Sequence, residues 1–219
     1  MALASRIEAF DEPDFPKLMV DPKADLSDRG ADFKPYPLDA ITRHAPPGAK
    51  IGSGKYPTVT GLEHDELGHP TGSPKLHMQM MAKRRKKLQA LGKTLPTPKV
   101  YGPPEGNVLL VGWGSTQGPI KEAVDRARAA GDSVSSLHIK HLNPLPPGLE
   151  EIFAGFNHVL VVEMNDEGLY GFGQLGGLLR SRFCDPKIRG INKTDGLTFK
   201  VKEILERVKT NVTDGIRKQ

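Results

Sequence analysis

The chain has 219 residues, a net charge of +5 and 37% apolar residues, below the usual globular share. No run approaches the roughly 18 consecutive apolar residues of a membrane-crossing helix. The single cysteine, Cys184, excludes an internal disulfide, a Cys-rich zinc site and an iron–sulfur cluster held by this chain alone. A balance of 31 basic to 26 acidic residues is too mild to point to nucleic acid. Glu8, Asp11, Glu12 and Asp14 interrupt the N-terminus where a secretory signal needs an apolar core, so a cytoplasmic location is expected.

Fourteen of the 19 prolines fall in residues 1–104. In residues 1–60 they recur too often for a helix of ordinary length, and each pushes the preceding residue toward extended backbone. This segment is expected to be an arm. It carries single apolar anchors, Phe15, Leu18, Phe33 and Tyr36, that lie on this chain's own second half or on a partner. Next comes Glu63-His64-Asp65-Glu66, the densest polar cluster. It reads as a loop making salt bridges, with Arg43 or with a following basic helix as the partner. Metal sites usually draw ligands from several separated elements, so a metal role is the weaker reading.

Ser73 as N-cap and Pro74 at the first helical position open a helix over 73–91. Its apolar face is expected to use Leu76, Met78, Met80 or Met81, Leu88 and Leu91. Lys83–Lys87 crowd its C-terminal half, with no neighbouring aromatic residue to stack a base, so a solvated face or an acidic partner surface is favoured over RNA. Residues 61–106 thus make a loop, this basic helix and a proline-rich linker.

From 107 the pattern alternates between strands and helices, so residues 107–219 are expected to fold as an α/β domain with a mainly parallel sheet flanked by helices. Val108–Val111, Val134–Leu142, His158–Val162 and Lys187–Asn192 read as strands. Ile120, Ala123, Val124, Ala127 and Ala130 mark one helix, ended by Gly131. Leu149–Phe156 is a short helix. Gly173–Phe183 is another, with Leu175, Leu178 and Leu179 inward. Thr194 or Asp195 is expected to cap a last helix over about 197–208, burying Val201, Ile204, Leu205 and Val208.

Gly112-Trp113-Gly114-Ser115-Thr116-Gln117-Gly118 sits between a strand and a helix, as a phosphate-binding turn would. Its spacing is not G-x-G-x-x-G, and Trp113 is bulky where a backbone should approach a pyrophosphate. A tight turn with Ser115 capping the helix competes with a nucleotide-binding or regulatory module at Gly112–Gly118. Glu163, Asn165 and Gln174 frame a glycine-dense segment with Tyr170 and Phe172, after the third strand. It reads either as a subunit contact or as a structural connection.

Taken in order, these segments resemble a known family. Thr60–Gly68, Lys83–Leu88, Asn107–Ser115, Val161–Leu175 and Lys193–Phe199 are similar to the C-terminal part of the alpha subunit of 2-oxoacid:ferredoxin oxidoreductases, most closely the 2-oxoglutarate type. The resemblance implies a domain like the C-terminal domain of transketolase. It also implies membership of a complex that uses thiamine diphosphate, Mg, iron–sulfur clusters and coenzyme A to decarboxylate a 2-oxoacid oxidatively and reduce ferredoxin. In that family the cofactors carry the hard chemistry. The implied partners are an upstream cofactor-binding domain or subunit, a beta subunit and, through the complex, ferredoxin. A hetero-oligomer is expected, with no nucleic acid and no membrane. The upstream domain is not in this sequence, so the chain is expected to be a fragment or split gene product that holds no cofactor and no catalytic residue alone. Arg43, Glu63, His64, Asp65, Glu66, Glu163, Asn165 and Gln174 are the interface or active-site-adjacent candidates.

Overall fold

The computed structural model describes residues 29–41, 45, 49–51 and 58–217, with side chains to 212. Arg43, Phe15 and Leu18 lie outside the described residues. By contacts the described residues form two compact units, one ending at Leu91 and one beginning at Gly92. No helix among them is long and apolar enough to cross a membrane.

In the first unit, residues 29–41 are irregular, and Pro37, Ala45, Ala49 and Ile51 are buried. The described part of the expected arm is fastened to the segment that follows it. The Tyr36 hydroxyl donates to the Thr58 carbonyl at 3.2 Å, and the Tyr36 N–H donates to the Glu66 carbonyl at 3.0 Å. Helix α1 spans Pro74–Thr94. The Leu76 N–H reaches the Ser73 hydroxyl at 3.4 Å, in keeping with the expected cap. The expected apolar face is not buried: Met80 is 2% exposed, whereas Met78 is 71%, Leu91 47%, and Met81 and Leu88 37% exposed. Of the five consecutive cations Lys83–Lys87, only Lys83 is half-buried, and the run keeps the distal turns largely in water.

The second unit is built on a five-stranded sheet in the order β1-β3-β2-β4-β5. Its strands are β1 (Val100–Tyr101), β2 (Gly106–Gly112), β3 (Val134–His138), β4 (Phe156–Glu163) and β5 (Ile188–Asn192). β2 pairs with β3 and β4 in parallel, and β4 with β5 in parallel. β1 is antiparallel to β3, through Val100 opposite Leu137 and Tyr101 opposite Ser136. It lies within the stretch read as a linker, where two residues between prolines carry no periodicity. β3 stops at His138, short of the expected Leu142. Its partner β2 ends at Gly112, so the Ile139 N–H makes the last bond, to the Gly112 carbonyl at 2.9 Å.

Helices α2 (Gln117–Ala129), α3 (Leu149–Ala154), α4 (Gln174–Phe183) and α5 (Val201–Arg217) cover both faces. Continuous apolar strands are what a sheet covered on two sides requires. Val108, Leu110, Leu160, Val162 and Ile191 face α2 and α5, meeting Ile120, Val124 and Ile204. Leu109, Val111, Val159, Val161 and Ile188 face the other way, onto Leu149, Phe153, Leu175 and Leu179. Two inward expectations fail: Leu178 is 45% exposed, and Ala130, just past the helix end, is also exposed. The last helix starts later and runs further than expected. Thr194 and Asp195 do not cap it. Asp195 instead accepts the Leu197 N–H at 2.9 Å, and Glu203 reaches back to the Lys200 N–H at 2.8 Å, as the far side of a capping box does. Val201 and Leu205 are only partly buried, whereas Ile204 and Val208 are buried.

Candidate functional site

Chain order and sheet order together put a switch point between β2 and β4, since the chain leaves β2 toward β3 and returns on the other side. Open α/β sheets place ligands and contacts in that crevice, at the carboxyl ends of the strands. Two residues bridge it here: Trp113, just after β2, and Glu163, the last residue of β4. The Glu163 side chain is fully buried, and every one of its partners is a donor. It accepts the Leu175 N–H at 2.9 Å and the Gly176 N–H at 2.6 Å, both in the first turn of α4. It also accepts the Asn165 amide at 3.0 Å and the Trp113 indole N–H at 3.4 Å.

A carboxylate there satisfies backbone donors left without partners by the start of the helix and complements its dipole. Gly173 is required by it, because a Cβ at that position would lie 2.6 Å from the Glu163 carboxylate. Of the sequence candidates, Glu163 and Asn165 therefore meet in one cluster, while Gln174 is exposed at the first position of α4 and stands outside it. Asn192, opposite Glu163 in register, was not foreseen. It is 6% exposed, and neither polar atom of its carboxamide has a partner among the described residues.

The Gly112 turn is accounted for by packing. A Cβ on Gly112 would stand 2.3 Å from Ile120 Cδ1 and 2.6 Å from Thr116 Oγ1, so the glycine lets α2 approach β2. Thr116, not Ser115, closes the turn: its hydroxyl donates to the Trp113 carbonyl at 2.9 Å and accepts the Trp113 N–H at 3.2 Å. Gly118 lies within α2. The nucleotide-binding alternative finds no support.

Beside the clamp, the segment after β4 projects Leu169, 95% exposed, and Tyr170, 86% exposed. Next to it is a cavity of about 490 Å³ lined by Asp166, Glu167, Lys193, Asp195, Glu203 and Arg207. Lys193 is held there by Glu203, at 2.7 and 2.8 Å, and by Asp195 at 3.3 Å. The hydrogen bond to Glu203, followed by the pair with Asp195, raises the Lys193 pKa above its ordinary value.

The Glu63–Glu66 cluster lies in the other unit and pairs with cations. Glu63 takes a two-pronged bond from Arg84 on α1, at 2.7 and 3.2 Å, and one from the His77 ring. Arg84 first, then His77, lowers the Glu63 pKa to about 2. Asp65 accepts the Leu67 and His69 N–H groups, both at 2.9 Å, and so shapes the turn. Glu66 binds Lys34 at 2.9 Å and the Leu38 N–H at 3.0 Å. His64 packs its ring 4.2 Å from that of Tyr36. The loop does reach the basic helix, through Arg84. Lys34 and His77 gave no sequence signal, since the pairing spans 32 and 14 positions. Among the described residues no group of three His, Cys, Asp or Glu could hold a metal ion, and Cys184 is a free, exposed thiol. No step through a metal or cluster is derived from this chain.

Known proteins resemble this chain. Residues 106–204 match the pyruvate:ferredoxin oxidoreductase core domain II. The chain is 33% identical over 190 residues to the alpha subunit of 2-oxoacid:ferredoxin oxidoreductase 2 of Aeropyrum pernix, covering 84% of this chain and 28% of that one. Over most of its length this chain is similar to part of the alpha subunits of 2-oxoacid:ferredoxin oxidoreductases.

It is also 32% identical over 180 residues to the 2-oxoglutarate oxidoreductase subunit KorA of Mycobacterium tuberculosis, covering 80% of this chain and 26% of that subunit. The fold agrees with a solved 2-oxoglutarate:ferredoxin oxidoreductase from Magnetococcus marinus, with 2-oxoglutarate, coenzyme A and succinyl-CoA bound. The TM-score is 0.66 at 32% identity, over 82% of this chain and 31% of that one. The chain spans less than a third of the length of these relatives. It shares the α/β fold expected from the sequence.

Proposed function

We propose that this chain is an assembly domain of a thiamine diphosphate-dependent 2-oxoacid:ferredoxin oxidoreductase and carries no catalytic centre of its own. The complex decarboxylates 2-oxoglutarate oxidatively, passes the acyl group to coenzyme A as succinyl-CoA, and reduces ferredoxin through iron–sulfur clusters. Thiamine diphosphate, with its Mg ion, supplies the carbanion chemistry when bound by the other parts. The partners are an upstream cofactor-binding domain or subunit and the beta subunit, in the cytoplasm. The proposed division is an arm over 1–60, a loop, basic helix and linker over 61–106, and the α/β domain over 107–219.

One observation carries this reading. At the switch point, where α/β enzymes usually hold a ligand, Glu163 spends its acceptors on the chain's own Trp113, Asn165 and α4. Beside it, Leu169 and Tyr170 stand in solvent as contact residues do. The similarity to 2-oxoacid:ferredoxin oxidoreductase alpha subunits supports this choice of complex.

The test is association. The chain is mixed with the separately produced cofactor-binding part of the alpha subunit and the beta subunit, then run on size-exclusion chromatography across a range of salt. Co-elution at defined stoichiometry is expected. Separate elution at every salt concentration overturns the assembly role.

A further inference from the structure

The basic run of α1 holds more charge than its acidic neighbours neutralise, and it borders a cavity. In the unit ending at Leu91, a cavity of about 260 Å³ is lined by Tyr36, His64, Met80, Lys83, Arg84 and Lys87, among others. Lys83 and Lys87 are four positions apart on α1, so they sit on one side of the helix, where like charges repel. Arg84 between them is committed to Glu63 through both terminal nitrogens. The nearby Glu66 is committed to Lys34. Neither Lys83 nor Lys87 has an ion-pair partner among the described residues. Lys83 is half-buried. Burial first, then Lys87, lowers its pKa, while Glu66 and Asp39 offset this only in part.

The lining is also aromatic. The Tyr36 and His64 rings lie 4.2 Å apart at 44°, and the His64 Nδ1 is turned to the Asp65 carbonyl at 2.8 Å. Met80, 2% exposed, adds an apolar surface. Lys83 and Lys87, neither in an ion pair among the described residues, share a face of α1 with Met80, and the Tyr36 and His64 rings complete a lining that suits a compact ligand with at least two negative charges and a small body. A doubly charged group would screen the repulsion between the lysines and replace the water that Lys83 loses on burial.

We propose that this cavity binds a small polyanion of the phosphate-ester or dicarboxylate class. The site is distinct from the sheet-edge contact surface and does not depend on the assembly role.

The test uses the full chain and two probes, inorganic pyrophosphate and succinate, with sodium chloride at matched ionic strength as the reference. Binding is read by titration calorimetry and by the shift of the His64 ring protons in NMR. Saturable binding of at least one probe is expected, with His64 moving in step, and the tighter probe assigns phosphate or carboxylate. K83Q/K87Q should weaken it at least tenfold, and K87Q alone, at an exposed position, about threefold. K86Q, on the same basic run but outside the cavity, should change it less than twofold. Far-UV circular dichroism of each variant verifies folding. The proposal is overturned if neither probe saturates, if His64 does not respond, or if K86Q weakens binding as much as K87Q. The last result would mean diffuse charge attraction, as for a nucleic-acid strand.

Discussion

Replacing Glu163 by alanine removes one side chain and strands donors on three separate segments. The Leu175 and Gly176 N–H groups lose their acceptor where water does not reach, and the partly buried Asn165 amide and Trp113 indole lose theirs too. Each buried donor left without a partner costs about 1–3 kcal/mol, and loss of an N-terminal helix cap costs about 0.5–2 kcal/mol. Trp113 and Asn165 are only partly buried, so those two donors can find water. The two backbone groups of α4 therefore dominate, and the expected loss is about 3–5 kcal/mol. Glu163→Gln keeps the shape but turns an amide NH₂ toward a backbone N–H, for about 1–3 kcal/mol. Urea unfolding measures both. Trp113 is the only tryptophan and touches the mutated group, so its emission reports the local event while circular dichroism reports the whole domain. A Glu163→Ala variant within about 1 kcal/mol of the wild type would refute the clamp. So would a Glu163→Gln variant less stable than Glu163→Ala.

Other outcomes follow from the same structure. Gly112→Ala puts a Cβ 2.3 Å from Ile120 Cδ1 and should destabilise by about 1–3 kcal/mol, read from the urea midpoint. A double change of Leu169 and Tyr170 to serine should leave the urea midpoint unmoved, within about 0.5 kcal/mol, because both side chains are in solvent. The same variant should weaken co-elution with the partner subunits. The Glu63 pKa of about 2 is depressed, so the pairing with Arg84 and His77 stabilises fully above the unfolded carboxyl pKa, near 4.3. That contribution is lost as pH falls from there toward 2, and Arg84→Gln should flatten the thermal stability profile over that window.

The α/β domain could be read from the sequence because its signals are local and repeated. Val108–Val111 and Val159–Val162 are unbroken apolar runs that only a sheet covered on both faces accommodates. The spacing of Ile120, Ala123, Val124 and Ala127 placed α2. Errors fell where tertiary structure decides. β1 is two residues long and exists because β3 offers an edge. The start of α5 depends on Glu203 reaching the Lys200 N–H, which Thr194 and Asp195 only mimic in sequence. Leu178 looks inward by composition, yet the turn of α4 carries it outward between Leu175 and Leu179.

At the sheet edge, Glu163 and Asn165 were legible as residues ending a strand, but the Trp113 link across 50 positions was not. The bulk of Trp113 argued against a phosphate, and its indole N–H supplies the positive role. Gln174 matched the same motif and is left outside the cluster, because the first residue of a helix points away from its own N-terminal cap. Cluster Glu63–Glu66 was visible as charge, and Arg84 as part of a basic run. Their pairing needed the helix to be placed against the loop.

The most direct measurement is ferredoxin reduction driven by 2-oxoglutarate and coenzyme A. It is followed optically for the cofactor-binding part of the alpha subunit plus the beta subunit, with and without this chain, and for this chain alone with thiamine diphosphate and Mg. The assembly role predicts turnover only in the complete mixture, falling in parallel with co-elution for the Leu169 and Tyr170 variant. Full activity in the mixture lacking this chain, or turnover by this chain on its own, would contradict it.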